Sequence, residues 1–329
     1  MSDVFLLGAG FSKAVSDDMP LLQELSSQIR GRLSDLPESL STVGDNIEIW
    51  LSYLSQPHPW LRESENLRNR ALALDITEEI KKVLDEKEQL AVLDECPSWL
   101  LTLTQHWHKN QAGVISLNYD TLVERAAGKI STGQRQDSHL CAEHLYPVKF
   151  TLSTRRDAVV PGPEVADSFT LFKLHGSTNW YYSGASESTG EVIYYSHIEG
   201  WVANSSRESN SKQEVSDKVT LIVPPTTEKV GFFQHESLKR IWTQALSSLR
   251  TATRLFIIGY SLPMTDLAVR LFLHDGALVS DRKKELYIVN RDSSVIDHYT
   301  KLLGKAFDIK DEFVGDKAIE RFVEKVEDL

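Results

Sequence analysis

Two places in the chain carry residue types and spacings suited to proton transfer and ribose recognition. Asn118 and Asp120, spaced Asn-x-Asp, follow the apolar run Val114-Ile115-Ser116-Leu117. His175, followed by Gly176 and Ser177, closes the run Phe169-Thr170-Leu171-Phe172-Lys173-Leu174. On alternate positions just after a strand, the Asn118 and Asp120 side chains project the same way if extended geometry persists. An Asn offers both a donor and an acceptor to ribose hydroxyls or a water, and an Asp accepts from an amide NH₂. Imidazole accepts a proton near neutral pH, as a general base must. Each has a structural alternative: helix capping for Asn118 and Asp120, and a hydrogen-bonded structural histidine for His175. A third place is Gly8-Ala9-Gly10-Phe11-Ser12, after Val4-Phe5-Leu6-Leu7. A glycine turn between strand and helix lets the backbone approach a diphosphate, although glycines also occur there for steric reasons only. The ordinary dinucleotide fingerprint needs a third glycine where this chain has Lys13. The next clear strand begins only near Val114, so the compact strand-helix-strand continuation is missing and a plain dehydrogenase is disfavoured.

These residues must be held by the elements before and after them. Leu255-Phe256-Ile257-Ile258 leads to Gly259-Tyr260-Ser261, and Leu286-Tyr287-Ile288-Val289 leads to Asn290-Arg291-Asp292. With the three runs above, that makes five short apolar strands, each ending in a small or polar triplet, with helical patterns between them. The arrangement predicts an α/β fold: a Rossmann-like parallel sheet flanked by helices. Ligands of such sheets bind at the carboxyl ends of the strands, where all five triplets fall. Residues 21–110 read as a helical insertion module, for example with Ile76, Ile80, Val83 and Leu84 on one face. Residues 1–20 and 111–329 then form the Rossmann-like domain. Residues 183–218, rich in Ser, Glu, Gly and Asn around Val192-Ile193-Tyr194-Tyr195, read as a hairpin and loop excursion.

Composition narrows the function. The 329 residues carry 36 Lys and Arg against 47 Asp and Glu, a formal charge of −11. Phosphate-backbone binding shows as a basic excess, so no direct nucleic-acid binding is expected. No window approaches a membrane span, and Met1-Ser2-Asp3 lacks the basic segment of a signal peptide, so the expected location is cytoplasmic, away from membranes. The two cysteines, Cys96 and Cys141, exclude a four-cysteine zinc site and a disulfide framework; buried, reduced thiols are expected.

In their order along the chain, these motifs resemble those of the sirtuin superfamily, and most closely its prokaryotic sirtuin-like branch of anti-phage defence effectors. Sirtuins carry a GAG-Ser turn, an Asn-x-Asp, a His followed by Gly, a Gly-x-Ser-Leu strand end and a late Asn after a strand. Here these are Gly8-Ala9-Gly10-Phe11-Ser12, Asn118-Tyr119-Asp120, His175-Gly176-Ser177, Gly259-Tyr260-Ser261-Leu262 and Val289-Asn290. Two departures stand out. The cysteine pairs that bind structural zinc in deacylating sirtuins are missing, since no cysteine follows Cys141. The Ile-Pro-Asp-Phe-Arg cofactor loop is replaced by Asp17-Asp18-Met19-Pro20-Leu21. Both departures are normal in the defence branch.

The resemblance implies an NAD⁺ site without metal. It puts the Gly8, Ala9, Gly10, Phe11 and Ser12 turn at the diphosphate and Asp120 at the nicotinamide carboxamide. Asn118 would hold the nicotinamide ribose and its attacking water, and His175 would be the base. Gly259 and Ser261 would meet phosphate or ribose, and Asn290 with Asp292 the adenosine end. The activity it implies is NAD⁺ hydrolysis to ADP-ribose and nicotinamide, in an abortive-infection effector controlled by homo-oligomerisation or by a separate sensor subunit. A protein deacylase and an NAD- or ADP-ribose-binding scaffold without turnover are the alternatives. Cleavage of the N-glycosidic bond builds positive charge on the ribose, so a site that holds the ring and aims a water at C1′ stabilises the transition state.

Overall fold

The first strand, β1 (Asp3–Leu7), is buried almost end to end, as an apolar run in the middle of a two-faced sheet should be. A computed structural model describes residues 3–33, 36–37, 40, 44, 46–131, 139–148, 151–152, 167–183, 193–223, 235–277 and 283–328. After β1 come α1 (Ala9–Val15), α2 (Leu22–Arg32), α3 (Ile47–Leu54), α4 (Glu63–Ala91), α5 (Ser98–Asn110), β2 (Gly113–Ser116) and α6 (Leu122–Ala127). The chain continues through β3 (Thr151–Leu152), β4 (Thr170–Lys173), β5 (Gly176–Tyr182), β6 (Tyr194–Tyr195), α7 (Ser206–Glu214) and β7 (Val219–Ile222). It ends with α8 (Glu236–Thr251), β8 (Arg254–Ile258), α9 (Leu267–Ala277), β9 (Lys284–Asn290), α10 (Val295–Leu303), β10 (Phe307–Val314) and α11 (Ala318–Lys325).

Six strands form one parallel sheet in the order β10-β9-β8-β1-β2-β4. Counted by first appearance within this sheet, that is 3-2-1-4-5-6 read from the β4 edge, the doubly wound Rossmann arrangement. Its topological switch point lies between β1 and β8, whose carboxyl ends bear Gly8 and Gly259. The five anticipated strands are all there. A sixth, β10, lines the β9 edge in a sequence that alternates Phe307 and Phe313 with charged residues and exposes much of its length.

The sheet is held to its helices by apolar stripes at helical spacing. Leu238, Ile241, Ala245 and Leu249 of α8 are buried, as are Val295, Tyr299 and Leu303 of α10. One face carries an aromatic ladder, because the parallel registers place Phe5, Phe256 and Tyr287 side by side on three adjacent strands. Their rings stack at 4.7 Å and 4.9 Å. Trp107 of α5 meets Phe5 edge-on at 5.6 Å, and Phe322 of α11 lies 5.3 Å from Phe256. Trp107 and the buried apolar residues of α2 to α5 thereby belong to the same continuous core as the sheet.

A second, small sheet has the order β3-β6-β5-β7. Within the 183–218 excursion, β6 pairs antiparallel with β5, as Trp180 with Tyr195 and Tyr181 with Tyr194. This pairing ties the excursion to β5, which precedes it, and residues 184–192, part of the stretch expected to hold a hairpin, lie outside the described residues. The loop beyond it holds the helix α7, whose composition, Ser, Arg, Glu, Asn, Lys and Gln, shows no apolar stripe. Cys96 is buried and Cys141 half-buried, both as free thiols, and burial pushes the Cys96 thiol up to about 12. Among the described residues no helix is long and apolar enough to cross a membrane.

Candidate functional site

The carboxyl end of β1 turns straight into α1 through Gly8, and this turn packs directly on the turn after β8. A Cβ on Gly8 would stand 2.6 Å from the Tyr260 Cβ, and one on Gly10 2.8 Å from the Gly259 carbonyl oxygen. Gly259 itself has φ +64, and a Cβ there would meet the Phe11 nitrogen at 2.2 Å. Only glycine permits that approach together with that φ. The Gly8 N–H donates to the Ile258 carbonyl at 3.0 Å, Gly10 N–H to Gly259 at 2.8 Å, and Phe11 N–H to Gly8 at 2.8 Å. These three amides are thus engaged within the protein, so the glycines' first physical role is close packing of two strand ends. Phe11 turns its ring into the core, edge-on to Trp99 at 5.6 Å, while Ala9 is exposed.

From this turn Ser12 reaches the end of β2. Its hydroxyl donates to Asp120 Oδ2 at 2.6 Å and accepts from Asn118 Nδ2 at 2.8 Å. The same Asn118 amide donates to the Gly8 carbonyl at 2.9 Å. Ser12, more than a hundred positions away in sequence, therefore joins Asn118 and Asp120 in one buried hydrogen-bonded cluster. Asp120 also accepts from the Leu122 N–H at 3.2 Å, a local turn bond just ahead of α6, whose N-cap is Thr121 and carries no side-chain cap bond. Burial pushes the Asp120 carboxyl up to about 6; the nearby Lys173 charge and the Ser12 hydroxyl pull it down, and Glu88 and Glu124 add to the rise.

His175 sits in the turn between β4 and β5 and is buried. Its ring lies between Tyr119 and Trp242, with centroids 6.3 Å from each. Trp242 Nε1 donates to the Leu174 carbonyl at 3.0 Å, and the His175 carbonyl accepts from Val223 N–H at 2.8 Å. Tyr119, the middle residue of Asn-x-Asp, thus links the histidine to the Asn118 cluster. Its hydroxyl donates to the Val223 carbonyl at 2.9 Å. Tyr119 and Trp242 were not among the anticipated site residues; an aromatic in either place reads in sequence as core.

On the other side of the switch point, Asn290 ends β9 and donates through Nδ2 to the Tyr260 carbonyl at 3.2 Å. Its Oδ1 accepts from Asp292 N–H at 3.0 Å. Ser261 is exposed beside them, its carbonyl 3.2 Å from His298 Nδ1. Asp292 is exposed and accepts from the N–H and hydroxyl of Ser294 at 2.9 Å and 2.8 Å, shaping the entry to α10. These bonds hold the Asp292 carboxyl below the ordinary carboxylate value. The structure therefore gathers Gly8, Gly10, Ser12, Asn118 and Asp120 tightly, with His175 one residue layer away and Gly259 and Asn290 on the adjoining strand ends. Ser261 and Asp292 stand at the exposed rim. Among the described residues no group of three or more His, Cys, Asp or Glu is placed to hold a metal ion.

No family model matches the sequence, and no curated protein matches it either. Solved structures do. The chain is similar to Sir2Tm bound to a propionylated peptide, at 15% identity over 99% of this chain and 92% of that one, with a TM-score of 0.45. It is similar to a structure described as the structural basis for the mechanism and regulation of Sir2 enzymes, at 13% identity, 99% and 92% coverage and a TM-score of 0.46. A third is Sir2 with a p53 peptide and NAD⁺, at 16% identity, 99% and 92% coverage and a TM-score of 0.42.

Proposed function

We propose that this chain binds NAD⁺ as a substrate across the carboxyl edge of its parallel sheet and hydrolyses it to nicotinamide and ADP-ribose. The observation that carries the proposal is an order in space. Neighbouring strands β4, β2, β1, β8 and β9 end in His175, Asn118, the Gly8 turn, Gly259 and Asn290. The same order describes an extended NAD⁺: a base and a ribose at one end, the diphosphate in the middle over the switch point, and adenosine at the other. At about 4.8 Å between adjacent strands, the five ends span about 19 Å.

The donor set suits this substrate. Asp120 offers a buried carboxylate to the nicotinamide carboxamide, and Asn118 offers an amide to the ribose and a water. His175 would take the proton of that water as it attacks C1′, a contribution typically about 10²–10⁴-fold. The Gly8 to Ser12 turn would face the diphosphate through α1, and Gly259, Ser261, Asn290 and Asp292 the adenosine half. Holding the ring and the water together supplies most of the rate, since the bond itself needs orientation and a polar surround for developing positive charge. As a further part of the proposal, residues 21–110 act as a helical module through which self-assembly or a sensor subunit controls turnover in an anti-phage role. The exposed Trp60, Leu67 and Leu74 of this module support that part.

The test is purified protein with NAD⁺, nicotinamide and ADP-ribose being followed by NMR, with and without an acetyl-lysine peptide. Nicotinamide and free ADP-ribose appearing without peptide is the expected result. Release that requires the peptide and yields an acylated ADP-ribose would replace hydrolysis with deacylation; binding without turnover would leave a sensor.

A further inference from the structure

We propose that Lys173 and Glu88 are positioning residues that clamp the Asn118–Asp120 loop from opposite sides; the inference rests on the reading of that loop as part of the NAD⁺ site. Lys173, on β4, is 1% exposed. Its ammonium donates to the Asp120 carbonyl, to the Tyr119 carbonyl at 3.3 Å and to Glu124 Oε1 at 3.1 Å. Glu124 in turn accepts from the Tyr146 hydroxyl at 2.8 Å. Glu88, on α4, is equally enclosed. Its Oε2 accepts from the Thr121 N–H at 2.7 Å, and its Oε1 from the Thr121 hydroxyl and, at 2.6 Å, from Arg125 Nε.

The carbonyl of Asp120 and the N–H of Thr121 are the two ends of one peptide group, and in a trans peptide they point in opposite directions. That single plane therefore has an ammonium on its oxygen and a carboxylate on its N–H, each charge matched to the end it meets. Such a clamp fixes ψ of Asp120 and φ of Thr121, and with them the direction in which the Asp120 side chain leaves the backbone. The preceding carbonyl, of Tyr119, is fixed as well: besides Lys173 it accepts from the Ser177 hydroxyl at 3.2 Å and the Thr178 N–H at 3.0 Å. Asn118 and Asp120 are thus tethered through backbone groups that are already bonded within the protein.

Stability alone does not account for the arrangement. Buried ion pairs can often be exchanged for apolar residues at no cost in stability, because desolvation offsets the Coulombic gain. What an apolar replacement loses is direction. Displacing a substrate-positioning group by about 1 Å can cost about 10²-fold in rate.

The experiment separates direction from stability. Lys173→Met leaves Glu124 buried and unpaired, whereas Lys173→Met with Glu124→Gln removes both charges and keeps an acceptor for Tyr146. In the double variant we expect the melting temperature to return close to the wild-type value. Its kcat for NAD⁺ stays lower by about 10²-fold, with KM within about threefold. The acidic limb of its pH profile also moves upward, since Asp120 then faces Glu88, Glu124 replaced by Gln, and Ser12 without the ammonium. Recovery of kcat along with stability would overturn the proposal. Should the Lys173 variants not fold, Glu88→Met, which removes the acceptor of the Thr121 N–H while Arg125 keeps Glu208, is the second case: the same fall in kcat supports the clamp and an unchanged kcat overturns it. Hydrogen exchange of the Thr121 and Thr178 amides in protein without NAD⁺ reads the clamp apart from turnover. Exchange faster in the double variant supports it, and unchanged exchange contradicts it. Absence of NAD⁺ turnover in wild-type protein that shows this exchange difference would count against the hydrolase reading alone.

Discussion

Replacing Asp120 by Asn should make the protein more stable at pH 8 and inactive at every pH. The carboxyl is buried, and its folded-state value is raised from 3.8 to about 6. At about 1.4 kcal/mol per pH unit, keeping this group ionised in the folded protein costs about 3 kcal/mol relative to the unfolded chain. The sign follows from proton binding. Because the folded value lies above the unfolded one, the native state holds the proton more tightly. The resulting stability is full below about 4 and is lost as pH rises through about 6. An Asn cannot ionise and escapes that loss. It does have to place an NH₂ where Asp120 now accepts from Ser12 at 2.6 Å or from Leu122 N–H at 3.2 Å, a mismatch of about 1–2 kcal/mol. The net expectation is a gain of about 1–2 kcal/mol at pH 8 and a loss of similar size at pH 4. Urea denaturation of both proteins at a series of pH values measures it. Taking the difference between variant and wild type cancels every other titrating group that the substitution leaves alone. A difference that stays flat between pH 4 and pH 8 would refute the reasoning, because Asp120 would then titrate alike in the folded and unfolded chains.

Other consequences follow from the same contacts. The rate of nicotinamide release per NAD⁺ bound should rise with pH through about 6 as Asp120 ionises, and a pH–rate profile with no such limb would remove the carboxylate from the reaction. Gly259→Ala adds a methyl that would lie 2.2 Å from the Phe11 nitrogen at a residue with φ +64. It should cost about 2–4 kcal/mol, visible as a lowered melting temperature. Arg125→Met leaves Glu88 and Glu208 without the guanidinium that pairs with them at 2.6 Å and 2.7 Å. Such a loss is worth about 3–5 kcal/mol. The pairing holds Glu88 below the ordinary carboxylate value: burial pushes it up, and Arg125 with the Thr121 bonds outweighs that. Adding Glu88→Gln to Arg125→Met should recover part of the stability, and no recovery would argue against an unpaired charge as the cause.

How much of this was legible in sequence depends on whether burial and chemistry point the same way. The strands β1, β2, β4, β8 and β9 are apolar on both faces and stop at glycine or polar triplets, so composition alone marks them. At the other extreme, β10 alternates apolar and charged residues because it is an edge strand with a solvated face. The strand β5 buries Ser177, Thr178 and Asn179, and α7 has no apolar stripe to betray it. That Asn118 and Asp120 lie together at a strand end could be read from their spacing, whereas their bonds to Ser12, which reads in sequence as part of a diphosphate turn, could not. Nor could the clamp around them. Lys173, Glu88, Glu124 and Arg125 are charged residues, whose ordinary place is the surface, and only the three-dimensional pairing of their charges makes their burial tolerable. The glycines show a further limit: in sequence they fit a diphosphate turn, whereas the observed amides of Gly8, Gly10 and Phe11 are bonded to neighbouring backbone, so steric closeness explains their presence before any ligand does.

The most direct test is a crystal structure of the protein with a non-hydrolysable NAD⁺ analogue. Our account predicts the nicotinamide ribose over the ends of β2 and β4, with one water bonded to both Asn118 and His175 at about 3 Å and facing C1′, and adenosine beyond Gly259 toward Asn290. An analogue bound elsewhere, or a ribose with the His175 imidazole turned away from it, would contradict the account.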